Sequence, residues 1–577
     1  VKVIIAKTAG FCMGVRRAVE IVLDTTHQQD APVRTFGPLI HNPQVLNTFE
    51  EKGIKIENSV PESGTGVILI RAHGVPPDIK TSLASAGFTV IDATCPRVIK
   101  VQTIIRKHAQ KGYASIIIGD KDHPEVVGLL GYAGDQGYTA DNLEALNELP
   151  EFEKAIIVAQ TTQNGRFFDD VRKWASKRYP HYKIFDTICD STARRQAEVL
   201  RITHLVDAII VVGGHNSGNT QRLSEIARQA GKQVFHIETE SELDLDALSS
   251  IACVGITAGA STPNWIIKRV YRKLETLPAK GAFTWRKPIY LLQRSLLLTN
   301  IMVAIGAGSL CFACARLQGV EFFYPQMLAA SLYVQSMHIL NHLMGRKSDR
   351  FNDPERSAFY IRYRLLLSIL AIAAGSVGLL TAYEMGWIPF LILLVMSILG
   401  FSYNLKLIPD WFPMQPKYKR IKDIPGSKTI LIALAWGIVS AIFPSFEKMG
   451  GLDLSVLLTF FWATLFVFVR TAFFDVLDMQ GDRIVGKETI PILMGEKRTL
   501  RILKRFLLIS TAILVLASAS GIFNPLGFAL AICPVLMLCV ILANEKELML
   551  PGIHLEFLIE SHFVLAGIIA LVWSILA

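Results

Sequence analysis

At 577 residues the chain exceeds one compact domain and implies roughly three to five units by the usual size of domains. It is 51% apolar with a mean hydropathy of +0.37, too apolar for a purely soluble protein, and the excess lies beyond about Leu291, where stretches of membrane-spanning length dominate. The net charge of +10 then reads as the basic cytoplasmic loops of a membrane protein, and nucleic acid is excluded as the expected partner.

Eight cysteines are scattered without the spacing of a disulfide scaffold, so a reducing compartment is expected. The apolar run Val1 to Lys7 is too short for a signal peptide, so the soluble half is expected to stay in the cytosol. Cys311 and Cys314 form a CxxC inside an apolar helix and read as packing residues.

In chain order, the strand Val1 to Ala6 leads into Thr8-Ala9-Gly10-Phe11-Cys12-Met13-Gly14-Val15, where the glycines allow a tight turn and the following helix N-terminus favours an ionised thiol. Short apolar runs follow at Val67 to Ile70, Ser115 to Ile118, Ala155 to Val158, Ala208 to Val212 and Cys253 to Ile256. Each leads into a polar or glycine-rich loop, and the intervening stretches are helical in character. The pattern predicts an α/β architecture with largely parallel sheets and ligands at the carboxyl ends of the strands. Echoes at Ala72-His73-Gly74, Asp122-His123 and Gly214-His215-Asn216 suggest three repeated α/β units about a centre.

Ile91-Asp92-Ala93-Thr94-Cys95-Pro96 and Phe185-Asp186-Thr187-Ile188-Cys189 both place Asp three residues before Cys, so with Cys12 three thiols leave three similar settings. Thiolates suit soft metals and iron-sulfur clusters, and three protein ligands leave one iron of a cubane open. Three inert buried cysteines are the plain alternative. His41, His73 and His123 offer donors to a multiply charged anion, Glu125 can move a proton, and Thr161, Asn216 to Asn219 and Ala258 to Ser261 add hydroxyls, amides and backbone NH groups. Singly, each of these is as well explained as a satisfied loop or core residue.

The ordered segments Gly10 to Val15, Ile40 to Pro43, Ala72 to Gly74, Asp92 to Pro96, His123 to Gly128, Gln160 to Thr162, the Cys189 segment, Asn216 to Thr220 and Thr257 to Ser261 resemble the 4-hydroxy-3-methylbut-2-enyl diphosphate reductase (LytB, or IspH) family over residues 1–277. The resemblance implies an α/β trefoil of three similar units around a 4Fe-4S cluster held by Cys12, Cys95 and Cys189. It implies Glu125 as proton source with Thr161 relaying, and His41, His73, His123, Thr161, Ser217, Gly218, Asn219 and Ser261 as substrate contacts. Gly218 departs from the serine of many relatives. Electrons would come from an external carrier such as ferredoxin or flavodoxin.

Leu277 to Ala282 interrupts the periodicity and Trp285-Arg286-Lys287-Pro288 supplies an aromatic and basic anchor, so residues 278–288 read as a linker. Residues 289–577 then form an all-α transmembrane bundle of about nine helices, with spans beginning near Ser295, Phe322, Leu365, Trp387, Thr429, Ser455, Leu503, Pro525 and Phe557. Arginines and lysines gather between spans two and three, four and five, and six and seven. These loops and the reductase half are therefore expected on the cytosolic side of the cytoplasmic membrane.

Asp475, Asp478 and Asp482 fall at i, i+3 and i+7, one helix face, with Arg470 one turn earlier in an apolar span. Clustered carboxylates suit magnesium; a solvated helix end is the plain reading. The segment Asp475 to Ile492 resembles the second aspartate motif of UbiA-type intramembrane prenyltransferases, and Tyr403 to Lys406 and Lys428 also suit that family. The resemblance implies a magnesium site at Asn341, Asp349, Asp475, Asp478 and Asp482, and prenyl diphosphate contacts at Arg470, Lys406, Lys428, Arg483 and Lys487. His342 and Gly345 stand where the first motif usually has aspartates. Weaker magnesium, a histidine ligand and an inactive half are all open. The expectation is a bifunctional enzyme taking small diphosphates and a membrane-dissolved acceptor. The alternatives are a reductase with a degenerate membrane anchor and a tethered iron-sulfur redox sensor.

Overall fold

Apolar runs four to six residues long and buried on both faces form the inner strands of the first half, and their side chains leave no face for solvent. The computed structural model describes residues 2–28, 31–275, 277, 286–321, 324–344, 352–403, 421, 424, 426–446, 453–485, 487–546 and 552–576. It divides into two units, Val1–Ala282 and Phe283–Ala577.

The strands of the first unit are β1 (Lys2–Ile5), β2 (Val33–Phe36), β3 (Lys55–Glu57), β4 (Val67–Ile70), β5 (Thr89–Asp92), β6 (Ala114–Ile118), β7 (Gly137–Ala140), β8 (Ala155–Ala159), β9 (Lys183–Phe185), β10 (Ala208–Val212), β11 (Gln233–Ile237) and β12 (Cys253–Ala258). They pair in parallel as three four-stranded sheets, ordered β1-β12-β10-β11, β3-β2-β4-β5 and β7-β6-β8-β9. The three expected α/β units are these sheets. The first of them joins the start of the unit to its last three strands, with Ile5 beside Ile256 and Val212 beside Ala258. Helices between the strands cover the sheets, as parallel crossovers require.

In the second unit the described residues hold six helices long and apolar enough to cross a membrane: Arg364–Glu384, Ser427–Ser445, Leu454–Leu477, Glu496–Ala519, Leu526–Glu545 and Ile553–Leu576. Pro288–Leu298 and Ile301–Leu317, bent by 75°, make a seventh if taken as one span. The count is lower than the nine expected from hydropathy for two reasons. Trp387–Ser402 has only 16 residues, and Tyr324–Met344 is diluted by Gln326, Gln335, His338, Asn341 and His342. Close approach rests on small residues: a Cβ at Gly306 would stand 3.2 Å from Phe563, and one at Gly567 would stand 2.6 Å from Ser309. Trp436, Trp462, Phe466, Phe473 and Phe563 fill the centre, and Cys311 and Cys314 are buried within it as packing residues.

Candidate active site at the sheet ends

Each sheet of the first unit delivers the same set of groups. Its cysteine follows an edge strand: Cys12 after β1, Cys95 after β5 and Cys189 after β9. Its polar residues follow the two inner strands: Ser217 and Asn219 after β10 and Ser261 after β12, His41 after β2 and His73 after β4, His123 and Glu125 after β6 and Thr161 after β8. Every cysteine N–H donates to the loop after the neighbouring inner strand. Cys12 reaches the Ala260 carbonyl at 3.0 Å, Cys95 the Ala72 carbonyl at 2.9 Å and Cys189 the Thr161 carbonyl at 2.9 Å. A helix begins at the next residue in all three, Met13–Gln28, Pro96–Ala109 and Asp190–Thr203. One cavity is lined by all these cysteines together with His41, His73, His123, Glu125, Thr161, Ser217, Gly218, Asn219 and Ser261. The structure thus brings together every site residue expected in this half.

None of the three thiols forms a disulfide. Burial, and the nearness of the other two sulfurs, push the Cys95 thiol up. Three thiolates so placed repel one another until a cation relieves them, and the donor set is that of a soft metal centre. A Cβ at Gly14 would stand 2.4 Å from Cys95 Sγ, so glycine leaves that sulfur its space. These residues fit a 4Fe-4S cluster.

Glu125 is buried, and both of its oxygens accept from Thr161: Oε1 from the backbone N–H at 2.7 Å and Oε2 from the hydroxyl at 2.8 Å. Those bonds favour the ionised carboxylate, yet burial outweighs them and holds Glu125 above its ordinary value. The backbone N–H of Glu125 donates to His123 Nδ1 at 3.1 Å, which leaves the proton of the neutral ring on Nε2. The rings of His41, His73 and His123 stand 4.6, 5.6 and 5.5 Å apart, and their nitrogens lie close enough to share an ion. Burial lowers all three, helped at His41 by the Arg71 charge, at His73 by both other rings and at His123, which falls to about 4, by His41, so the trio is neutral at neutral pH. His41 Nε2, His73 Nδ1 and Asn219 Nδ2 are buried without a partner among the described residues, and such orphans call for a ligand.

Sequence reasoning missed the supports. Arg222 Nη2 donates to both oxygens of Asp120 at 2.8 Å and its Nη1 to the Thr162 hydroxyl at 3.4 Å, beside Gly218. Arg195 and Glu198, on the helix after Cys189, grip the loop before Cys12. Nothing local marks these residues, because their partners lie 60 or more positions away.

In the second unit the expected single acidic face is broken. The helix Leu454–Leu477 ends at Asp478, its C-cap, and Asp482 sits on a separate short helix, Met479–Val485. Asp475 and Asp482 are nonetheless buried, and Lys428 and Lys487 act electrostatically on both. Thr429 donates to Asp475 at 2.5 Å, while Asn352 and Lys487 donate to Asp482 at 2.8 and 3.2 Å. Arg470 is committed elsewhere: its Nε donates to Glu560 at 3.0 Å, a partner unseen in the sequence, and its guanidinium lies over Trp436 and Phe474. Asn341 and His342 end the helix Tyr324–Met344, with the His342 ring 5.2 Å from Tyr360. Arg483 is half-buried on the short helix, and Asp349, Lys406 and most of the expected basic loops lie outside the described residues.

The first unit is thus of the α/β class in which three equivalent sheets each bring one thiol to a common cavity, and the second is an apolar helical bundle with buried aspartates at a helix end. Residues 3–275 match the family model for LytB protein, and residues 301–546 match that of the UbiA prenyltransferase family. The 4-hydroxy-3-methylbut-2-enyl diphosphate reductase of Oleidesulfovibrio alaskensis is 42% identical over 276 residues, 47% of this chain and 98% of the relative. That of Opitutus terrae is 41% identical over 288 residues, 48% of this chain and all of the relative. A UbiA homologue from Archaeoglobus fulgidus, solved bound to GPP and Mg2+, is 18% identical with a TM-score of 0.35, covering 48% of this chain and 98% of that one. The chain belongs to the LytB family and carries a UbiA prenyltransferase domain.

Proposed function

We propose that the chain is an enzyme of isoprenoid synthesis with two activities. The first unit reduces 4-hydroxy-3-methylbut-2-enyl diphosphate to isopentenyl and dimethylallyl diphosphates. The second transfers a prenyl group to an acceptor dissolved in the membrane. The observation that carries the first reading is the threefold repeat of one address: an edge-strand cysteine and two inner-strand polar loops from each sheet, meeting in one cavity.

When bound on Cys12, Cys95 and Cys189, the cluster supplies single electrons and a Lewis-acidic iron. The chain's own residues do the rest. The orphaned nitrogens of His41, His73 and Asn219 and the hydroxyls of Ser217 and Ser261 bind the diphosphate. Glu125, held by burial above its ordinary value, is the proton source in this reading: when protonated at Oε2 it donates to the Thr161 hydroxyl, which passes a proton to the departing C4 oxygen. In balance, the C4–O bond breaks, the oxygen leaves as water, and an allylic carbon gains a proton. Two protons enter, with two electrons delivered singly by a carrier protein such as ferredoxin or flavodoxin. Anaerobic reconstitution followed by a reduction assay tests this: turnover with iron and sulfide present supports the reading, and a loaded protein that never consumes the substrate defeats it.

For the second unit the supporting observation is the pair of buried aspartates, Asp475 and Asp482, under the influence of Lys428 and Lys487. When bound there, with Asp478, Asn341 and Asp349 contributing, magnesium neutralises a diphosphate leaving group. Lys406, Lys428, Arg483 and Lys487 hold that diphosphate, while Arg470, spent on Glu560, has a positioning role. In this reading the division at 278–288 separates the activities, and the first unit and the polar loops share the cytosolic side. A second reading, an inactive anchor, is favoured by His342 and Gly345 in place of aspartates. Labelled prenyl diphosphates offered with candidate acceptors to membranes bearing the intact chain separate the two.

A further inference from the structure

Arg195 is 3% exposed, follows Cys189 by six residues on the helix Asp190–Thr203, and has no carboxylate hydrogen-bonded to it among the described residues. Its Nη1 donates to the carbonyls of Thr8 and, at 3.3 Å, Ala258; its Nη2 donates to that of Gly10 at 2.7 Å. Its Nε is buried without a partner among the described residues. One turn on, Glu198 accepts the N–H groups of Lys7 and Thr8, both at 2.8 Å. One helix, capped by Cys189, therefore grips by both polarities the loop that leads to Cys12.

A guanidinium in such a place needs a counter-charge. The carboxylate of Glu198 is occupied by two amides and by Arg201 at 3.2 Å, and Cys12 and Cys189 act electrostatically on Arg195 alongside it. The carbonyls around Arg195 hold it in place but cannot neutralise it. The geometry thus leaves a fixed positive charge on the helix that Cys189 caps and against the loop that leads to Cys12, outside the substrate cavity, whose lining does not include it.

We propose that Arg195 is a positioning residue that sets the reduction potential of the cluster, an inference that rests on the reading that the three cysteines hold one. A cation at fixed distance stabilises the state carrying one more electron, so it raises the potential at which the electron is accepted. The Arg195 fork also holds Cys12 and Cys189 in mutual register. Charge and fork are separable, because lysine keeps the first and loses the second.

The test uses the full chain, purified anaerobically, with iron and sulfide assayed and a redox titration followed by electron paramagnetic resonance. In R195Q, with wild-type iron and sulfide, the ratio of reduced to oxidised cluster at a fixed potential should fall at least tenfold, 59 mV for one electron. R195K should restore most of it. Wild-type titration by R195Q overturns the proposal. If R195Q assembles no cluster, R195K decides: titration at the wild-type potential supports a charge effect, and a tenfold shift with the charge kept overturns it. Wild-type protein without iron and sulfide instead defeats the cluster reading itself.

Discussion

Thr161 grips both oxygens of Glu125, one with its backbone N–H at 2.7 Å and the other with its hydroxyl at 2.8 Å. The pair also joins the acid to a thiol, because the Thr161 carbonyl accepts the Cys189 N–H at 2.9 Å. Glu125 and Cys189, the proposed proton source and metal ligand, thus both bind Thr161, and a displacement of either is felt by the other.

Glu125→Gln keeps the shape and removes the proton. Turnover should fall by about 10²–10⁴-fold with iron and sulfide unchanged; full activity would remove Glu125 from the proton path. Because burial raises the folded-state value above 4.5, the neutral form is present below it and turnover should decline as pH rises through the raised value. Linkage has the same sign: the stability contributed by Glu125 is fully present below 4.5 and is lost as pH rises through the folded-state value. The glutamine variant does not ionise and should melt higher than the parent at neutral pH.

Gly14→Ala places a carbon 2.4 Å from Cys95 Sγ. The overpacking costs about 1–3 kcal/mol, which the fold can absorb and the site cannot. Circular dichroism should be retained while iron and sulfide content falls well below that of the parent. A fully loaded variant would show that Cys95 needs no such clearance.

Asp475→Asn removes a buried carboxylate that Thr429 holds at 2.5 Å. If magnesium acts there, several kcal/mol of charge stabilisation goes with it, about a thousandfold in rate. Prenyl transfer should collapse while the reduction assay on the same sample is unchanged. Equal prenyl transfer by both proteins would move the metal away from Asp475.

Glu560→Ala strands the Arg470 guanidinium in the apolar core. Removing one partner of such a buried pair costs about 3–5 kcal/mol. Thermal unfolding in detergent should therefore occur well below the parent temperature, and the double change of Arg470 and Glu560 to leucine should recover much of the loss. An unaltered melting temperature for Glu560→Ala would return Arg470 to the diphosphate site.

Inner strands β4, β6, β8, β10 and β12 were legible because full burial leaves an unbroken apolar run. The outer strands β3, β7 and β11 were not: Lys55–Glu57, Gly137–Ala140 and Gln233–Ile237 are half-solvated, and their strand identity comes from the neighbour that pairs with them. The polar residues of the cavity could be picked out from their place after apolar runs. Their supports could not, since Arg222 finds Asp120 across 102 positions and Arg470 finds Glu560 across 90.

By itself the amino-acid order determined the two halves, the parallel α/β pattern of the first, the apolar helices of the second, and the thiols and histidines at strand exits. Those features are local, set by hydrophobic periodicity and by residue chemistry within a few positions. Tertiary structure alone decided that the three cysteines leave corresponding edge strands of three sheets, that Asp475 and Asp482 lie on different helices, and that Arg195 grips the loop before Cys12. Pairing between strands and the satisfaction of buried charge depend on groups far apart in the chain, which only the folded backbone brings within reach.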